Sequence, residues 1–380
     1  MKNILALLLC VAATVANAKI NITKLTCELR EGFVVTSSTP RLGWQMTAED
    51  TQEKQTAYQI RVFSAITGKT VLDTRRIESS QSQLIPVTLS NGFYNWQVRV
   101  WDRNGKPSAW SKKADFAIQD NETAFGNAQW VGAITKADAK TPEGRIYTGR
   151  ALQQAREQWN AADPLSRRSI YVAKTFSAKK KIKHAVMNVC GLGFSEVRVN
   201  GEKIDDSEFG PLWSDYDKSV FYNTYDVTEL LKDNGRKPVN IEVLLGNGFY
   251  NEQGGRYHKL RISFGPPTLK MCIKVTYADG SAENIITDRT WQYSPSELVF
   301  NSLYGGEDYD ARIEREWKPV VIQEGPKGML RPQMAPPVKV MERYNPVSCD
   351  VHKAEESAKT EKSAGHGREP GTLARDMGQS

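Results

Sequence analysis

The stretch whose reading decides the fold runs from Cys190 to Asn251. Its segments are CGLGFSEVRVNGEKI (190–204), GPLWSDYDKSVFYNTYDVTELL (210–231) and VLLGNGFYN (243–251). Val197 and Val199 alternate with Arg198 and Asn200, the period of a strand with one buried face. Asn200-Gly201 supplies two residues that tolerate positive φ, as a two-residue hairpin needs, and Asn234-Gly235 and Asn247-Gly248 repeat that signal at later strand ends. Asp226-Val-Thr-Glu229 reads as a short helical turn opened by an acidic cap, with Glu at the third position after it. Aromatics and carboxylates crowd together at Trp213, Asp215, Tyr216 and Asp217. Together these features predict a β-sandwich with a polar, aromatic-rich edge.

Working outward, the same period of two recurs on both sides. Upstream, Tyr58, Ile60 and Val62 alternate with Gln59 and Arg61, and Tyr94, Trp96, Val98 and Val100 with Asn95, Gln97 and Arg99. Turns at Asn91-Gly92 and Asn104-Gly105 complete a small sandwich over residues 19–118, in which Trp44, Trp96 and Trp110 are expected to pack rather than to bind ligand. Residues 119–166 read as a connector with a short strand at Trp130-Val-Gly132 and a short helix near Arg150 to Asn160, closed by Asp163-Pro164. A second sandwich is expected over 167–320, with a hairpin at Asp279-Gly280, followed by an extended segment over 321–349 that starts a further β-domain. Residues 350–380 have almost no large apolar side chains and are expected to be a disordered polar tail. The fold class is therefore all-β, two β-sandwich domains with a disordered C-terminal tail.

The amino terminus has the form of a secretion signal. Lys2 precedes an apolar run from Ile4 to Val15, too short to span a bilayer, and Ala16-Asn17-Ala18 is a small-x-small cleavage site. Leu9 before Cys10 argues against a lipoprotein. The expected location is secreted or periplasmic, with no membrane association after cleavage. Beyond the leader, Cys27, Cys190, Cys272 and Cys349 are widely spaced with no C-x-x-C pair, so neither a zinc site nor a dense disulfide framework is indicated. The formal charge is +7, and the basic run Lys179 to Lys183 lacks interleaved aromatics, which makes it a solvated turn and excludes nucleic acid as the expected partner.

The ordered motifs between 190 and 312 resemble the N-terminal, jelly-roll-like domain of bacterial α-L-rhamnosidases. Gly191-Leu-Gly193, Asn200-Gly201, the Trp213-Ser-Asp-Tyr-Asp-Lys218 and Thr224-Tyr-Asp-Val-Thr228 runs, Gly246-Asn-Gly248 and Tyr304-Gly-Gly-Glu-Asp-Tyr-Asp-Ala-Arg312 carry it, with Phe249 and Leu212 departing from the family's usual Trp and Gly. The segment from Tyr94 to Ser111 is similar to the last hairpin of fibronectin type III modules, and Pro40-Arg-Leu-Gly-Trp-Gln45 is similar to the opening of the module that precedes the jelly roll in that family. The resemblance implies hydrolysis of terminal α-L-rhamnosyl residues with inversion, by two carboxyl groups on an (α/α)6 barrel further along the chain. Such carboxyls stand about 6.5–9.5 Å apart. Nothing here resembles that barrel, and Arg375-Asp-Met-Gly-Gln379 echoes the start of the family's next domain. The chain is thus expected to be a truncated, accessory N-terminal portion, inactive alone, with no catalytic residue to assign.

What remains is sugar recognition. Stacking faces and hydroxyl partners are expected at Trp213, Asp215, Tyr216, Asp217, Asn247, Phe249, Tyr250 and Asn251, with rhamnose-containing glycans or glycosides as partners. No cofactor is expected, although the resemblance leaves calcium possible at a sugar site. The acidic groups Asp205-Asp206-Glu208 and Glu307-Asp308-Asp310 read as a solvated loop and as ion pairing within the sandwich, the latter with Arg312. The four histidines show no metal-binding spacing, and Gly191-Leu-Gly193 fails the dinucleotide fingerprint. A free-standing carbohydrate-binding protein and a purely structural sandwich protein are the alternatives.

Overall fold

A computed structural model describes residues 20–348 apart from 37–38, 121–122, 143–149, 151–155, 233–236 and 254–260. The expected leader, the Asn234-Gly235 turn, Cys349 and the polar tail lie outside the described residues. In the first sandwich, Ile20–Cys27, Arg41–Ala48 and Ile85–Pro86 form one sheet. Val34–Thr36, Ala114–Ile118, Gly92–Trp101, Ala57–Ser64 and Thr70–Asp73 form the other, with Ile77–Glu78 beside Ala57–Ser64. The period-two residues point inward as expected. Leu42, Trp44, Ile60, Val62, Trp96, Val98 and Phe116 are buried in one cluster, and the Trp44 indole N–H donates to Gln55 Oε1 at 2.9 Å.

The outer face of the larger sheet carries a ladder of cations and indoles. Arg61 and Arg99 stack on Trp110, at 4.7 and 4.9 Å, and Arg99 and Arg76 stack on Trp101. Asp73 accepts from Arg61 Nε at 2.9 Å, and Gln59 from Arg99 Nε at 2.9 Å. Ser108 and Ser111 each accept from the strand through the hydroxyl (Val100 N and Val98 N) and donate back to it through the backbone. This run therefore substitutes for a paired strand.

The second sandwich is larger. One sheet runs in the order Val321–Gln323, Trp130–Gly132, Thr268–Tyr277, Ile182–Leu192, Ser219–Asp226, Met329–Pro332, with Ala282–Ile286 also on Thr268–Tyr277. The facing sheet runs Glu202–Lys203, Ser195–Val199, Val239–Leu245, Ile170–Phe176, Gln292–Pro295, Lys318–Pro319. Between them Val172, Met187, Val197, Ile241, Val243, Ile273 and Trp291 are buried. The hairpin at 200–201 has φ of 53° and 87°, both positive as a mirror-image turn demands. Asp226 Oδ1 accepts from Thr228 N at 2.9 Å and opens the short helix Thr228–Lys232. Among the described residues no helix exceeds 5 residues, and none is long and apolar enough to cross a membrane.

Two expected boundaries shift. The strand Trp130–Gly132 of the connector lies between Thr268–Tyr277 and Val321–Gln323, so the connector is woven into the second sandwich. Val321–Gln323 and Met329–Pro332 are edge strands of the same sheet, and Val338–Lys339 pairs with Ser207–Glu208. Residues 321–339 thus extend this sandwich instead of opening another, because its exposed edges offer them backbone partners. The connector also covers the sheet's second face, where Phe125, Cys190, Tyr216, Tyr222, Tyr250 and Cys272 are buried together. Cys27, Cys190 and Cys272 are free, buried thiols, and burial pushes the Cys272 thiol up to about 11.

Candidate functional site

The motifs Gly191-Leu-Gly193 and Gly246-Asn-Gly248 meet backbone to backbone. Gly193 N donates to Gly246 O at 3.2 Å, and a Cβ on Gly193 would sit 1.8 Å from Asn247 O. Only glycine permits that approach, which gives the motif a structural reason. Around this contact the amides close on one another. Asn247 Nδ2 donates to Arg167 O at 2.9 Å, while Asn247 Oδ1 accepts from Asn251 Nδ2 at 2.9 Å. Asn251 Nδ2 also donates to Ser166 O, and Asn251 Oδ1 accepts from Gln253 and from the Ser263 hydroxyl. Asn301 Oδ1 accepts from Asn247 N at 2.9 Å, and the buried Glu252 carboxylate accepts from Ser302 and from Leu303 N.

Of the residues expected to face sugar, four are therefore interior. Tyr216, Asn247, Tyr250 and Asn251 are buried, and Tyr216 meets Tyr250 and Phe264 edge to face. Burial pushes the Tyr216 phenol well up. Asp215 and Asp217 are exposed. Asp215, however, is engaged by Lys218 at 2.9 Å, which holds its carboxyl below the usual range, and by the amide of Asp217. Trp213 is 59% exposed and packs against Phe249, the ring centroids 5.1 Å apart and the planes tilted by 40°.

Beside this edge lies a cleft of about 140 Å³ on the outer face of the sheet that holds Ser195–Val199 and Val239–Leu245. Its floor is Glu196, Lys203 and Leu244, with Asn247 and Gly248 at one end. Phe194 and Phe209 stand on its rim with ring centroids 5.4 Å apart, and Phe209 is 59% exposed at a positive φ of 53°. Asn301 and Glu307, in and beside the hairpin Leu298–Ser302 and Gly306–Tyr309, form the other wall. Burial disfavours the Lys203 ammonium, but Glu208 at 2.8 Å and Glu196 at 3.5 Å outweigh it and raise its pKa. The volume is on the order of the ~150 Å³ that admits a single six-membered ring.

Parts of this cleft carry a signal in the sequence. Glu196 falls at an outward position of an alternating strand, and Asn301 sits in a polar run, but their convergence with Phe209 across 100 residues has no local signature. Among the described residues, no three of His, Cys, Asp and Glu converge as metal ligands. Calcium takes about six to eight oxygens, whereas two of the cleft's carboxylates, Glu196 and Glu208, are tied to Lys203. The cleft does not suit it.

General acids need a raised pKa. Every described carboxyl whose titration is displaced is displaced downward. These are Asp73, Asp206, Asp215, Asp279, Glu283, Asp288, Glu297 and Asp310. Asp310 falls to about 2 because Arg312 binds it through two nitrogens at 2.8 Å, the ion pair expected from their spacing.

Residues 22–119 match the family model of the Rha78A-like N-terminal immunoglobulin domain, and residues 180–342 that of the α-L-rhamnosidase N-terminal domain. The chain carries the N-terminal domains of the α-L-rhamnosidase family. An α-L-rhamnosidase of Formosa agariphila is 30% identical over 343 residues, covering 83% of this chain and 35% of its own length. The α-L-rhamnosidase structure from Dictyoglumus thermophilum superposes with a TM-score of 0.64 at 28% identity, over 86% of this chain and 37% of that one. That from Aspergillus terreus gives 0.66 at 25% identity, over 84% and 36%. The chain thus spans about a third of the length of the α-L-rhamnosidases it matches. The family is a glycoside hydrolase family, and no (α/α)6 barrel stands among the described residues.

Proposed function

We propose that this chain is the exported carbohydrate-recognition portion of an α-L-rhamnosidase and binds a rhamnosyl residue in the cleft beside Gly248. The cleft carries this reading. It joins two phenyl faces to hydrogen-bonding groups within the volume of one sugar ring, in a domain of α-L-rhamnosidase type. The 6-methyl and C–H faces of the sugar pack on Phe194 and Phe209, and its hydroxyls meet Glu307 and the Glu208 carboxylate oxygen that Lys203 does not hold. Trp213, packed against the neighbouring Phe249, extends the apolar rim. Tyr216, Asn247, Tyr250 and Asn251 support the rim from beneath. The leader at 1–18 carries the chain out of the cytoplasm, to where rhamnose-containing glycans are met.

Hydrolysis is assigned to a carboxyl pair outside the described residues, since the displaced carboxyls here are held ionised. Calorimetry on the full chain with methyl α-L-rhamnoside tests the reading. A single wet site of this size gives a dissociation constant on the order of millimolar, near −4 kcal/mol. Phe209→Ala and Glu208→Gln each weaken it by about tenfold, the scale of one lost apolar face or one charge-assisted hydrogen bond. Absence of binding by the wild type sinks the proposal, and so does turnover of an aryl α-L-rhamnoside by the purified chain.

A further inference from the structure

The turn at Glu28-Leu29 is strained. Both residues lie in the left-handed region, with φ of 53° and 63°, and neither is glycine. The turn is closed by Cys27 and Arg30, whose backbones exchange hydrogen bonds at 2.9 and 3.0 Å. The buried Glu28 carboxylate clamps it, accepting from Arg41 N at 2.8 Å and from Arg41 Nε at 2.9 Å. Backbone strain that is actively maintained points to a task for what it projects. Here it projects Arg30 out of the first sandwich.

The Arg30 guanidinium reaches the second sandwich and donates to the carbonyl of Gln333. Its Nε is buried without a partner among the described residues, and burial lowers its pKa, so this placement costs stability. Gln333 is itself buried and fully used. Its N donates to Tyr222 O at 2.9 Å and its Nε2 to Ala335 O at 3.1 Å, while its Oε1 accepts from Leu212 N at 2.9 Å. Leu212 directly precedes Trp213. Two hydrogen bonds, Arg30 to the Gln333 carbonyl and Leu212 N to Gln333 Oε1, therefore link the strained turn to the residue that precedes the exposed indole.

We infer that Arg30 is a positioning residue: through Gln333 and the Leu212 amide, the first sandwich fixes the loop that presents Trp213 against Phe249, the residue after Gly248 of the cleft. The binding consequence rests on the sugar reading above, whereas the positioning does not. The test uses the full chain labelled with 5-fluorotryptophan, the Trp213 resonance being assigned by Trp213→Phe. Arg30→Met and Gln333→Met shift or broaden that resonance and leave those of Trp44, Trp96 and Trp291 in place. Arg30→Lys, which keeps a donor for the Gln333 carbonyl, restores it in part. Methyl α-L-rhamnoside binding weakens about threefold to tenfold in Arg30→Met. A Trp213 resonance unmoved by Arg30→Met overturns the inference, as does one moved equally with the three core indoles. A moved resonance with unchanged sugar affinity upholds the positioning and removes Trp213 from the sugar site. Should Arg30→Met fail to fold, Glu28→Gln carries the same test, because it takes away the charge through which Arg41 clamps the turn.

Discussion

The two sandwiches each display aromatic and charged side chains on an outer sheet face, and to opposite effect. On the first, Arg61, Arg76 and Arg99 lie over Trp101 and Trp110, and Gln59 and Asp73 complete the pattern. Its groups have spent their bonding on one another. On the second, Phe194, Phe209 and Glu307 line an open cleft, and Phe209 and Trp213 leave more than half of their surface in water. The composition of a face does not make a site. A site needs polar and aromatic groups whose partners have been left for a ligand.

The contrast can be broken most severely through glycine. Gly193→Ala drives a methyl into the Asn247 carbonyl at 1.8 Å, and backbone on both sides cannot yield. A loss of about 4 kcal/mol or more is expected, enough to unfold the second sandwich. Gly105→Ala in the first sandwich meets nothing within 4 Å at a φ of 75°, and costs only the left-handed penalty, about 1–2 kcal/mol. Denaturant titration of both variants reads the difference, and equal midpoints would show that the two glycine motifs are not in contact.

A second comparison separates packing from binding. Arg99→Ala should lower stability by about 0.5–1 kcal/mol, the worth of a partly exposed cation–π contact, with no change in rhamnoside affinity. Trp213→Ala should do the reverse, altering stability by less than about 0.5 kcal/mol while weakening binding. Loss of affinity in Arg99→Ala would place sugar on the first sandwich instead.

The smallest expected effect lies where the sandwiches touch. His184 of the second packs at a tilt against Phe93 of the first, with ring centroids 4.4 Å apart, and lies 4.0 Å from Asp226 and within the fields of Asp115 and Lys232. Burial wins over the two carboxylates and lowers its pKa from 6.5. As pH falls through 6.5 the unfolded chain takes up the proton first, so stability declines until the folded pKa is reached, and then levels. Thermal melts between pH 7.5 and 5 should show this decline in the wild type and a flatter profile in His184→Gln. Identical profiles would mean that the contact tolerates the charge.

Much of the molecule was legible in the chain because its determinants are local. Alternation set which faces of the strands at 57–64 and 92–101 are buried, Asn200-Gly201 set a hairpin, and the Asp226 cap set a helical turn. The Asp310–Arg312 pair followed from a spacing of two. The assignment of Tyr216, Asn247, Tyr250 and Asn251 to the sugar edge did not survive the packing. A motif of aromatics and amides has one appearance whether its side chains face solvent or each other.

By itself, then, the sequence determined two β-sandwiches, their turns and their kinship with α-L-rhamnosidases, since period, turn chemistry and motif order are properties of consecutive residues. Only the tertiary structure decided that residues 130–132 and 321–339 complete the second sandwich, that the glycine motifs face each other, and that Glu196, Phe209 and Asn301 enclose a cleft. Those outcomes depend on backbone groups and side chains far apart along the chain, such as Gly193 with Gly246, Glu196 with Asn301 and Trp130 with Gln323. Which of them are spent internally and which remain for a ligand is settled by contact geometry, not by order along the chain.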